Sequence, residues 1–193
     1  LYLMHGQAMD DTYWPSLGVT EIADRLIVEE GAAPFLMVMP REVQDRIPVL
    51  DSAFPDSIMT ELIPWVEQTY KVCNSRECRA IGGISRGGGW AMTLAFEYID
   101  DFSSIGAHSM GSMPGNGTRM RTLVETRGVG VFPRIYMDRG ETDFLAEDID
   151  RFESELSQYG IPHEFIVSPG SHNTSYWRDR AEDYLRWYLE GWE

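Results

Sequence analysis

The sequence predicts an α/β domain, a mostly parallel sheet with helices on both faces. Three observations carry that reading. Short apolar runs of strand length alternate along the chain with longer segments of helical spacing. The 193 residues and 22.0 kDa suit one domain and would crowd two, so residues 1–193 read as a single unit with no internal repeat. Hydrophobic residues make up 43% and aromatics 12%, which supplies a sizeable core and excludes a disordered chain.

The elements follow in order. Residues 1–4 are an apolar run ending at His5-Gly6. Residues 20–30 read as a helix with Ile22, Ala23, Leu26 and Ile27 on one side. Residues 34–39 read as a buried strand stopped by Pro40. Residues 56–70 read as a helix with Ile58, Leu62, Trp65, Val66 and Tyr70 inward and a kink at Pro64. Residues 79–84 form a strand that runs into Ser85-Arg86-Gly87-Gly88-Gly89 and an apolar helix over 90–98. Strands are expected at 102–107 and 132–137. In residues 145–159, Leu145, Ile149, Phe152, Leu156 and Tyr159 recur at alternating spacings of four and three, the mark of an amphipathic helix. A strand at 163–167 and a helix at 176–189 complete the pattern.

Sixteen basic against 31 acidic side chains give a net charge of −15 and a pI near 4.6. Such a field repels phosphate backbones and anionic lipid surfaces, which argues against nucleic-acid binding. No apolar stretch is long enough to span a membrane. The chain opens on Leu1 inside an apolar run, so further residues are expected upstream, and a targeting signal would lie there. Cys73 and Cys78 bracket a polar turn with no histidine near, which leaves a metal site without ligands. Two readings stay open for them: reduced thiols, or a small disulfide that would favour an extracytoplasmic location over a cytoplasmic one.

Parallel sheets bind ligands beyond the carboxyl ends of their strands. The polar residues at those places are His5-Gly6-Gln7, Ser85, His108-Ser109, Asp138 to Asp143, and His172. Gly83-Ile84-Ser85-Arg86-Gly87 fits G-x-S-x-G between a strand and a helix. A tight turn there lifts the serine hydroxyl clear of the sheet, glycines remove colliding side chains, and the helix N-terminus favours developing negative charge. The plain alternative is a serine that only caps a helix. A phosphate loop is excluded because no Lys follows the glycines. A serine nucleophile needs a base, and His172, in the loop between the last strand and the last helix, is placed for that role. The base needs a carboxylate, and Asp138, Glu141 and Asp143 all follow one strand. Asp143 sits ahead of the amphipathic helix, so capping is its alternative role. The N–H groups of Arg86, next to the serine, and of Gln7, after Gly6, are the expected oxyanion donors. His5 is expected to brace that loop without taking part in the chemistry.

These residues resemble a known family. Leu3-Met4-His5-Gly6, Gly82-Gly83-Ile84-Ser85-Arg86-Gly87-Gly88, Asp138 through Asp143-Phe144-Leu145, and Pro169-Gly170-Ser171-His172 with Trp177 beyond are similar to the putative-esterase family of α/β-hydrolases. That family is also called esterase D or enterochelin-esterase-like, and feruloyl esterases and mycolyltransferases belong to the same broad group. The resemblance implies an α/β-hydrolase fold, Ser85 as nucleophile, Asp143 rather than Asp138 as the acid, His172 as base, and Gln7 and Arg86 as oxyanion donors. It implies a serine carboxylic-ester hydrolase that needs no metal or organic cofactor and acts on a small-molecule or polysaccharide-linked ester. An acyltransferase, or a non-catalytic binding module on the same fold, are the rival readings. Family members carry strands ahead of the one ending in His-Gly, so the resemblance also implies an N-terminally shortened domain. Residues 108–131, where members build part of the pocket, are rich in Gly and Met (Met110, Met113, Met120) and carry no specificity signature. Tyr13, Trp14, Trp90 and Trp177 are expected either to line a cleft or to fill the core.

Overall fold

The computed structural model describes residues 1–192. Its centre is a five-stranded sheet, β1 (Tyr2–Met4), β2 (Ala80–Ile84), β3 (Ser104–His108), β4 (Arg134–Gly140) and β5 (Glu164–Ser168), parallel throughout and ordered as in sequence. The helices are α1 (Tyr13–Ser16), α2 (Val19–Val28), α3 (Phe54–Ser57), α4 (Ile63–Thr69), α5 (Arg86–Glu97), α6 (Asn116–Arg127), α7 (Ala146–Gln158), α8 (Thr174–Arg178) and α9 (Ala181–Leu189). Right-handed crossovers that step along a sheet in one direction leave their helices on one face. Accordingly, residues of α5, α6 and α7 such as Trp90, Leu94, Met120, Ile149 and Leu156 share one apolar core. The other face is covered by α1 and α2, from the long connection between β1 and β2, and by α8 and α9 after β5, with Trp14, Leu26, Trp177, Tyr184 and Tyr188 in a second core. The α/β architecture is the one the alternating pattern predicts.

Several elements differ from expectation. Residues 34–39 run extended beside β1, but they are mostly half-buried and make a single bridge, Tyr2 to Val38, instead of a buried strand. Val38 N–H donates to Leu1 O at 2.8 Å and its carbonyl accepts from Leu3 at 2.9 Å, with Pro34 and Pro40 closing the segment. The 56–70 helix is continuous, but Ile58–Leu62 forms a π turn in which Ile63 N–H reaches back to Ile58 O. Pro64 has no N–H to continue the α pattern, and the extra residue in the turn rotates the following face. Ile63 and Val66 therefore face inward, while Trp65 is 55% exposed; Tyr70, past the helix end, is 47% exposed. Helix α6 was not expected: glycines stand at 115 and 117, and only Met120 and Asn116 are buried along it. The last helix breaks at Asp179-Arg180 into α8 and α9. Cys73 and Cys78 form a disulfide, Cα to Cα 5.8 Å.

The strand register aligns the functional ends. Met4 pairs with Gly83, Ile84 with His108, and His108 with Asp138. A cleft of about 560 Å³ lies at the opposite end of the sheet among Leu36, Val66, Tyr70 and Arg79, away from Ser85. Among the described residues no helix is long and apolar enough to cross a membrane.

Candidate active site

Ser85 sits between β2 and α5 with φ 55° and ψ −119°. For a side chain larger than glycine that left-handed backbone costs roughly 1–3 kcal/mol and persists only where the surroundings enforce it. Here they do. Ser85 N–H donates to His108 O at 2.8 Å, and Ser85 O accepts from Gly111 at 2.7 Å and Gly89 at 3.1 Å. The flanking glycines are needed for close approach: a Cβ on Gly83 would fall 2.3 Å from the Gly87 carbonyl carbon, and one on Gly87 would fall 2.4 Å from Met4 O.

The loop after β5 brings His172 to the serine. His172 Nε2 lies 2.9 Å from Ser85 Oγ, and Nδ1 lies 3.0 and 3.1 Å from the two oxygens of Asp143. Nδ1 faces a carboxylate and so carries the proton; Nε2 is left to accept from the serine hydroxyl. The loop is tied to the turn after β4, where Gly170 O accepts from Thr142 N–H at 3.0 Å and from its hydroxyl at 2.9 Å. Asp143 is 5% exposed. Burial pushes its pKa up, but hydrogen bonds from His172, Leu145 N–H and Ser109 outweigh that and hold it below its ordinary value. Leu145 N–H also donates to Asp143 Oδ1 at 2.9 Å, a local turn just ahead of α7; Leu145 itself is the N-cap and no side chain caps the helix, so Asp143 does not take the capping role. Asp138, the other acid considered, points elsewhere, to His108, Tyr176 and Tyr184.

Gly6 borders the serine, since a Cβ on it would lie 3.3 Å from Ser85 Cβ. The residue after it, Gln7, is exposed, and Arg86 opens α5, where the first N–H groups have no helical acceptor. His5 braces this corner: Nδ1 donates to Gly6 O at 2.8 Å and Nε2 accepts from Glu42 N–H at 2.9 Å. Sequence reasoning missed Glu42. Its buried carboxylate takes Arg86 Nε at 2.8 Å, Arg86 Nη2 at 2.6 Å and Trp90 Nε1 at 3.0 Å. These bonds push the Arg86 guanidinium above its ordinary value and fix the first turn of α5 to the loop after residue 40. A lone Glu among charged loop residues carries no sequence signal for this. Trp14, Trp90 and Trp177 prove to be core side chains, 1–2% exposed. The exposed aromatic at the site is instead Phe144, 75% exposed with its ring 4.4 Å from the His172 imidazole.

Residues 1–188 match the putative-esterase family. An esterase of Mycobacterium tuberculosis is 28% identical over 226 residues, covering 89% of this chain and 48% of that protein. An endo-1,4-beta-xylanase/feruloyl esterase of Xylanibacter ruminicola is 26% identical over 194 residues, covering 97% of this chain and 24% of that protein. The chain thus spans about half the length of the first relative and a quarter of the second. A solved ferulic acid esterase superposes with a TM-score of 0.81 at 25% identity, over 98% of this chain and 83% of that one. The chain belongs to the putative-esterase family and has an α/β-hydrolase fold.

Proposed function

We propose that residues 1–193 act as one catalytic domain that hydrolyses carboxylic esters through an acyl-enzyme on Ser85. The observation that carries this reading is the unbroken hydrogen-bonded path from Ser85 Oγ through His172 to Asp143, at 2.9 and 3.0 Å. His172 Nε2 takes the hydroxyl proton as Oγ attacks the ester carbonyl carbon. The tetrahedral oxyanion is held by the N–H groups of Arg86 and Gln7, with the N-terminus of α5 beneath it. Collapse breaks the ester C–O bond, and the imidazolium returns its proton to the departing alcohol. Water, deprotonated by His172, then cleaves the acyl-enzyme and releases the acid. Asp143, held ionised, keeps the imidazole in the needed tautomer and steadies its charged form.

The proposed substrate is a small-molecule or polysaccharide-linked ester with an aromatic acyl group. Exposed Phe144 beside His172 supports this, as do the feruloyl and ferulic acid esterases among the relatives. Replacing Ser85 by Ala is expected to abolish turnover of an aryl ester and labelling by a fluorophosphonate. Activity that survives in Ser85→Ala would refute the assignment. Product analysis with a competing alcohol separates hydrolysis from acyl transfer, since a transferase would favour the alcohol over water.

A further inference from the structure

Beneath this site lies a second His–Asp pair that the proposed chemistry does not use. His108 ends β3 and Asp138 stands opposite it on β4, both 0% exposed. His108 Nδ1 donates to Asp138 Oδ1 at 2.8 Å, and its Nε2 lies 3.0 Å from the Tyr188 hydroxyl. Gly82 and Gly106 leave room for that phenol: a Cβ on either would fall 1.7 or 1.8 Å from its oxygen. Asp138 Oδ2 accepts two more bonds, from Tyr176 at 2.8 Å and Tyr184 at 2.7 Å. Burial and then the Asp138 charge push both phenols far above their ordinary value, so both remain donors. A buried carboxylate that accepts three hydrogen bonds is a rigid anchor.

The two tyrosines hold different things. Tyr184 lies in α9, beyond the break after α8. Tyr176 lies in α8, four positions after His172. Its backbone N–H donates to Asn173 Oδ1 at 3.1 Å, and its ring packs against Gly170, where a Cβ would fall 2.6 Å from Cδ2. His172 stands between those two residues. Thr142 grips the loop from the β4 side, and Tyr176 grips it from the α8 side.

We propose that Tyr176 is a positioning residue for His172: its bond to Asp138 fixes the base loop so that Nε2 stays within reach of Ser85 Oγ. This deepens the assignment of Ser85 and His172 and rests on it. Tyr176→Phe and Tyr184→Phe each remove one donor from the same buried oxygen and keep the ring. A purely structural role affects both alike. Positioning makes them differ: kcat for an aryl ester falls about tenfold to a hundredfold in Tyr176→Phe, with KM nearly unchanged. In Tyr184→Phe kcat stays within about twofold of wild type, although both variants lose similar melting temperature. Exposed Asn173→Ala cuts the other end of the strut without touching the core, and it is expected to lower kcat and the fluorophosphonate labelling rate together. It decides the matter if Tyr176→Phe folds poorly. Equal kcat in the two tyrosine variants, or Asn173→Ala at the wild-type rate, would overturn the inference while active wild type leaves the esterase reading standing. Activity persisting in Ser85→Ala would overturn both.

Discussion

Glu42→Ala is the most informative change for stability. The Glu42 side chain is 4% exposed and that of Arg86 11%, so the pair is desolvated. Truncation removes both carboxylate bonds to the guanidinium, the bond from Trp90 and a 3.4 Å bond from Ser52, leaving Arg86 a 3.5 Å bond to Ile47 O and its place 5.4 Å from the Trp90 ring centre. Breaking a buried pair from one side costs roughly 3–5 kcal/mol, because the remaining charge is uncompensated. At this chain length each kcal/mol moves Tm by about 2–4 °C, so a drop of about 6–20 °C is expected. Glu42→Met with Arg86→Met removes both charges and keeps the volume. Much of the loss should return, although Trp90 N–H stays unpaired in both variants. Urea and thermal unfolding by circular dichroism read the difference. A loss under about 1 kcal/mol in Glu42→Ala, or no recovery in the double variant, would show that the pair is not the fastener described here.

Other expectations follow from the same geometry. Asp143→Asn should lower kcat by about four orders of magnitude, since the amide no longer fixes the Nδ1–H tautomer. Because the folded carboxyl titrates below the ordinary 3.8, its stabilising contribution is whole above that pH and fades as pH falls through the lower folded value. The stability gap between wild type and Asp143→Asn should therefore close only in strong acid; a gap already closing near pH 6 would contradict the hydrogen-bonding account. Phe144→Ala should cut kcat/KM for aromatic acyl esters by about two- to tenfold more than for an acetyl ester; an equal effect on both would remove Phe144 from substrate recognition. Replacing both Cys73 and Cys78 by Ser opens a loop of sequence separation 5. By loop entropy that costs about 2 kcal/mol. The loop precedes the amino end of β2 while Ser85 follows its carboxyl end, so kcat should be unchanged; a fall in kcat would mean the two ends of the strand communicate.

The parts of the site readable in the sequence were those set by local rules. G-x-S-x-G between an apolar run and a glycine-rich helix start specifies the strained turn at Ser85 by itself. His172 follows from its place in the loop between the last strand and the last helix. The carboxylate is harder: residues 138–148 offer several, spacing alone does not choose among them, and Asp143 is singled out by the family resemblance; in the fold it is the one that faces the imidazole. Glu42 and Arg86 are 44 positions apart, and the His108–Asp138 pair needs the β3–β4 register, so neither had a periodic signal. Trp65 was misplaced for a related reason: Pro64 forces a π turn, and a strict 3.6-residue pattern cannot follow the shifted face. Helix α6 escaped because few of its residues reach the core.

Rapid-quench mass spectrometry with a slowly deacylated aryl ester tests the catalytic assignment most directly. A mass increase equal to the acyl group, mapped to Ser85 and appearing before steady-state turnover, is the expected result. Full turnover with no adduct, or an adduct on another residue, would contradict it.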